Sequence, residues 1–187
     1  MRTIKIKKGN HMASNQFTTP SFNLWNNGGI SKRVIFTQSC KYNVGASDQR
    51  DWNKLFGKSW GFSPLFKPVD AFMMHLNSSR FGWRWNEVRV GIEVTPYYYS
   101  NTVRKYAELI GITPPLLQLE REYDLHITPI MSEILPIVSY RVEDEYGDEI
   151  FRHDAIQEVP SLKGWIAPLY FGGDKKAPHD IEILMDK

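Results

Sequence analysis

The sequence predicts an all-β chain, an antiparallel β-sandwich or jelly roll with one or two short helical turns, on three observations. Apolar runs are short and alternate with polar residues at a period of two, which is strand geometry. Aromatics reach 13% of the chain, with 11 prolines and 13 glycines breaking it into short pieces, and helical periodicity is scarce. One domain spanning residues 1–187 is expected, because a chain of this length builds one sizeable core and rarely two.

The opening "RTIKIKK" alternates Ile4 and Ile6 with Thr3, Lys5 and Lys7, so residues 1–16 read as a first strand or an N-terminal arm exchanged between copies. "GNHMAS" looks like a vector scar with one letter changed, and residues 1–11 are treated as native. "RVIFTQ", residues 33–38, follows the turn "NNGG" and predicts a strand. In "SDQRDWNKLFG", Ser47 or Asp48 would cap a single helical turn closed by Gly57. The strongest alternation lies in "RFGWRWNEVRVGIEV": Phe81, Trp83 and Trp85 share one face, and Arg80, Gly82 and Arg84 the other. After Asn86 and Glu87 the apolar parity slips to Val88, Val90, Ile92 and Val94, which predicts a hairpin pairing 79–85 with 88–95.

"YYYSNTVRKYAEL" predicts a strand, a turn at Ser100 and Asn101, and then a strand or short helix stopped before Pro114 and Pro115. Residues 119–128 alternate again, with Arg121 as the one exception on the apolar side. "PIVSYRVEDEYGDEIFRH" is a hairpin with its turn at Tyr146, Gly147 and Asp148. The last segment gives two strands flanking "GGDKKAP", with Ile181 and Ile183 inward.

Charge and cysteine content narrow the function classes. Twenty-three Lys and Arg against 21 Asp and Glu leave +2, too little for a global field that draws in nucleic acid or an anionic membrane. The single cysteine, Cys40, cannot form an internal disulfide. No run nears the ~20 apolar residues of a membrane helix, and no apolar signal core is visible at the start. No Walker A, dinucleotide-binding glycine signature or nucleophile elbow is present, so no cofactor is expected.

Six side chains carry the candidate ligand chemistry. Arg80 and Arg84, on one strand face with Gly82 between them, would flank a shallow groove and grip carboxylates bidentately, or would pair with acids on neighbouring strands. His75 and His179, with these arginines and with Tyr170 and Asp174 nearby, sketch an acid-sugar lyase in which histidine or tyrosine takes a proton and arginine steadies the carboxylate. Trp52 and Trp60 lie in an irregular stretch and would either stack on a sugar or cap one end of the sandwich. Asp174, His179 and Asp180 lack the spacing of a metal motif, and no metal site is expected.

Three segments, "DWNKLFGKSWG", "HLNSSRFGWRWN" and "YFGGDKKAPHDIEI", resemble small β-sandwich proteins of Bacteroidota and their tailed, crAss-like phages. The resemblance spans about Lys8 to Met185. It implies a non-catalytic virion or attachment module that packs on other virion or surface proteins and on itself, located in the virion or in the host cytoplasm during assembly. A glycan-binding module is the alternative, and a polysaccharide lyase the third reading.

Overall fold

The computed structural model describes residues 1–15, 19–21, 28–45, 47–60, 78–100, 102–130, 135–157 and 164–186. The side chains of residues 19–21 and 60 are outside this description. Two antiparallel sheets pack face to face. The first contains β1 (Arg2–Ile6), β3 (Ile30–Phe36), β9 (Glu122–Ile130), β10 (Ile137–Glu143), β11 (Glu149–Ile156) and β13 (Ile181–Met185), in the order β1-β13-β3-β9-β10-β11. The second runs β2 (Thr19–Ser21), β12 (Gly164–Ala167), β4 (Asn53–Trp60), β5 (Ser78–Asn86), β6 (Gly91–Ser100) and β7 (Val103–Lys105). A two-residue strand, β8 (Leu116–Leu117), adds to β6.

Between the sheets lies one core fed by alternate positions: Ile4, Ile6, Val34, Phe36, Phe81, Trp83, Trp85, Ile92, Val94, Leu125, Ile127, Val138, Tyr140, Ile181 and Ile183. Phe36 and Trp83 meet across it at 5.6 Å, and Phe81 stands edge-on to Tyr140. The opening residues belong to this body: β1 pairs with β13 of its own chain, from Arg2 opposite Met185 to Ile6 opposite Ile181.

The central hairpin exists, with bounds that differ from the expected ones. Asn86 pairs with Gly91, and residues 87–90 form the turn. Val88 and Val90 are therefore 92% and 70% exposed, while Ile92 and Val94 continue the core face. The Asn86 side chain explains the stop, since its Oδ1 accepts the N–H groups of Val88 and Arg89 and closes the turn. Val90 takes φ 54°, a left-handed conformation a β-branched residue tolerates poorly.

The expected helical turn is also shorter than its sequence suggested. It is a 3-10 turn over Asp48–Arg50, and the chain is already strand at Asn53, so Gly57 sits inside β4 and closes no helix. Gly57 is required there by sheet packing: a Cβ would overlap the Ser79 carbonyl and lie 2.5 Å from the Arg80 Cα. Arg121, the exception to the alternation, lies just before β9 and takes no place in it. Both options for residues 103–110 are realised in sequence, β7 first and then a single helical turn, Ala107–Ile110, ended by Gly111 at φ 70°.

A bulge in β4 sets up the site. Lys54 pairs with Gly82 and Gly57 with Arg80, so Leu55 and Phe56 together face one partner residue, Phe81. Both Leu55 and Phe56 turn into the core.

Candidate functional site

A groove of about 440 Å³ opens on the outer face of the second sheet. Its floor is Lys54, Arg84 and Tyr97, its walls are Trp52, Arg104, Tyr106 and Glu108, and the loop at Gly173 and Asp174 closes the far side. Long-range backbone bonds hold these elements together. Lys54 and Tyr170 exchange N–H···O bonds of 2.8 Å in both directions, and the Gly172 N–H donates to Asn53 Oδ1 at 2.7 Å. Gly172 passes so close to the Trp52 carbonyl that a Cβ there would overlap it. Across the hairpin from β6 to β7, Tyr99 opposes Arg104, which brings Tyr106 alongside Tyr97.

The outer face of the β5–β6 hairpin is covered. Trp52, Tyr97 and Ala107 form a second small buried cluster with Tyr99, Tyr106 and Ile112 around it. Trp52 is 5% exposed, and its Nε1–H donates to Glu108 Oε2 at 2.9 Å. Its ring carries the Arg84 guanidinium 4.0 Å above it. The indole covers the outer face of the sheet and not one end of the sandwich, and its stacking partner is Arg84 of the same chain.

Arg80 and Arg84 share that face as the alternation predicted, but they have different roles. Arg84 is fully engaged: it reaches Glu93 at 2.8 Å, Glu108 at 2.7 Å and the Arg50 carbonyl at 2.8 Å. Glu93 in turn gathers Arg84, Arg89 and Asn86. Burial opposes the Glu93 charge, yet these donors hold its carboxyl below the usual carboxylate range. Arg80 is the anomaly. It is 3% exposed, donates from Nη2 to the Pro168 carbonyl at 2.5 Å, and has no hydrogen-bond partner for its Nε. Among the described residues it makes no ion pair. Burial pulls its pKa down to about 10, against the Tyr97, Tyr99 and Tyr170 phenols that surround it.

Lys54 sits just above. Its Nζ lies 5.1 Å from the Tyr97 ring centre and 5.4 Å from that of Tyr170, between two π faces and with no carboxylate in ion-pair range among the described residues. Burial, then the charges of Arg80 and Arg104, bring its pKa down to about 8, with Asp51 opposing. The stack continues on both sides. Tyr97 lies parallel to Tyr106 at 5.9 Å, Arg104 sits 5.3 Å above Tyr106, and Tyr170 stacks on His11 at 5.2 Å. The arrangement is a row of aromatic faces threaded by two cations that have no carboxylate partner among the described residues, with a third cation buried beneath.

The remaining predicted positions are elsewhere. His179 donates its Nε2–H to the Ser39 carbonyl at 2.8 Å, next to β13 in the first sheet, and takes no part in the groove. His75 lies outside the described residues, as does the Trp60 side chain, although Trp60 Cα pairs with Gly164 in the second sheet. Asp180 binds Lys5 at 2.7 Å and the Lys8 N–H at 2.8 Å, while Asp174 lines the groove, so the loop's acids turn to separate neighbours. No group of three metal-ligating side chains occurs among the described residues.

Sequence reasoning missed Lys54, Tyr97, Arg104 and Tyr106, and set Tyr170 beside His179 instead. A signal for three of them was present in one stretch, "TPYYYSNTVRKY", where the pairing of β6 with β7 sets Tyr99 opposite Arg104 and so brings Tyr106 beside Tyr97. Tyr170 comes in through a single bridge to Lys54, which no local pattern announces.

No protein-family model matches the chain, and neither a curated protein nor a solved structure matches it. No described helix is long and apolar enough to cross a membrane.

Proposed function

We propose that the protein is a non-catalytic attachment module whose groove takes hold of a carboxylate-bearing saccharide. One observation carries this reading: Lys54, Arg80 and Arg104 cluster at a tyrosine-lined groove, and none of the three has a carboxylate partner among the described residues. A buried guanidinium without a counterion costs stability, and an arriving anion would offset that cost. The tyrosine faces supply the flat apolar surface a sugar ring stacks on, and Lys54 and Arg104 supply the donors for its carboxylate. Asp51, Glu108 and Asp174 at the rim accept from sugar hydroxyls.

A lyase needs a proton acceptor beside the carboxylate clamp, and His179 is bonded to Ser39 away from Arg84. A role in packing within a virion is the second reading, favoured by the bare strand edge described in the next subsection.

Titration calorimetry with oligouronates and with neutral oligosaccharides of equal length tests the proposal. Uronates bind, neutral sugars bind more weakly, and Lys54→Met lowers uronate affinity by about tenfold. Affinity falls as pH rises through about 8, because Lys54 must be protonated to hold the anion. Equal binding of both sugar classes, or no binding of either, overturns the reading.

A further inference from the structure

β11 ends the first sheet, and no described strand pairs along its far side. It is eight residues long, keeps one register with β10 from Phe151 to Ile156 with a bulge at Ile150, and has no cover on its far side among the described residues, the kind of edge that natural sheets blunt. The other end of the same sheet is treated differently. There β1 is screened by residues 13–15: the Ser14 N–H donates to the Lys5 carbonyl at 2.8 Å, and the Asn15 side chain bonds both Lys5 and Thr3. β11 has no such cover among the described residues.

Its outward face carries Ile150, Arg152, Asp154 and Ile156, all exposed. Ile150 and Ile156 are 42% and 62% exposed, apolar side chains at the two ends of the row with an opposite-charge couple between them. Such a row is its own complement. Placed antiparallel to a second copy, with His153 facing His153, Ile150 meets Ile156 twice and Arg152 meets Asp154 twice. A slip by two residues in either direction breaks both matches at once. Ile156 also extends an apolar ladder, since Ile137 pairs with both Ile156 and Ile130. Within one chain Arg152 reaches only Asp154 on its own strand, at 3.3 Å, and its cross-strand neighbour is Arg141, a like charge. A partner strand would place a carboxylate directly opposite Arg152.

We infer that two copies of this chain join edge to edge through β11, in the register centred on His153, so that one continuous sheet crosses a two-fold axis. This goes beyond the groove and is independent of it, since none of the β11 residues lines the groove. A two-fold dimer presents both grooves together, which raises avidity for a repeating ligand without a new contact.

The test is sedimentation equilibrium of the full chain with charge-swapped variants. Wild type is a dimer. Asp154→Arg sets Arg152 against a like charge twice and weakens the dimer by about tenfold or more. Arg152→Asp with Asp154→Arg restores the complement in the same register and restores the dimer. Ile156→Lys gives a folded monomer, with an unchanged β-sheet circular-dichroism spectrum and a cooperative urea transition as the check of folding. A monomeric wild type, a dimer indifferent to Asp154→Arg, or a double swap that fails to rescue overturns the inference.

Discussion

The two hairpins at the heart of the sheets solve opposite problems. β10–β11 buries one face and leaves the other in water, and its outer charges pair loosely, as Arg141 does with Glu143 and Arg152 with Asp154. β5–β6 is buried on both faces along most of its length, so each charge on it must find a partner inside or go without. Arg84 and Glu93 find partners, and Arg80 goes without. Charge on a wet face contributes little to stability, whereas charge on a covered face is either a strut or a vacancy for a ligand.

The largest expected effect tests how closely the covered hairpin is packed. Gly57→Val forces a side chain into Ser79 and Arg80 and costs ~4 kcal/mol or more, read as a collapse of the urea midpoint. Next, Glu93→Ala strands Arg84 and Arg89 and costs about 3 kcal/mol by the same measurement. Because its carboxyl is held low, the stability Glu93 contributes is present above the ordinary pKa of 4.5 and is lost as pH falls through the folded value; Glu93→Gln flattens that acid limb.

The sign reverses at the two smaller effects. Lys54→Met raises the melting temperature by on the order of a few °C at pH 7 while weakening uronate binding, since it removes a desolvated charge. In wild type the same group makes stability rise between about pH 8 and the ordinary 10.5, where the folded chain has released its proton and the unfolded chain has not. Val90→Asn relieves a left-handed β-branched residue in the exposed turn and gains about 0.5–1 kcal/mol. At the tip of the wet hairpin, by contrast, Arg121→Ala, just before β9, removes an exposed contact to Glu145 in the β10–β11 turn and changes stability by less than about 0.5 kcal/mol. A large loss there would erase the distinction between the two hairpins.

The layered fold was legible because core parity is local. Phe81, Trp83 and Trp85 announce their face in five residues, and Ile181 and Ile183 in three. The pairing of Arg84 with an acid on the neighbouring strand was legible for the same reason. What was not legible depends on contacts between distant segments. Trp52 is buried because residues 104–108 fold over it, Arg80 is dry because Tyr97, Tyr99 and Tyr170 surround it, and the parity of β4 changes at a bulge that "KLFGK" does not mark. The bounds of the central hairpin slipped because Asn86 ends the strand by bonding its own turn, a preference weaker in the pattern than the valines that follow.

Lys54 and Lys58 stand four residues apart, and in an unbroken strand both amines would project from the same side of the sheet. The doubled position at Leu55 and Phe56 separates them. One amine emerges among the tyrosines, and the other points between the layers, where it donates to the Gly28 carbonyl at 2.7 Å. Removing a single residue at this point leaves the two lysines three apart in an unbroken strand, so the amines stay on opposite sides of the sheet and the core gives up one of its two adjacent large side chains. A one-codon deletion there therefore keeps both amines where they are and reads out the packing of Leu55 and Phe56 alone.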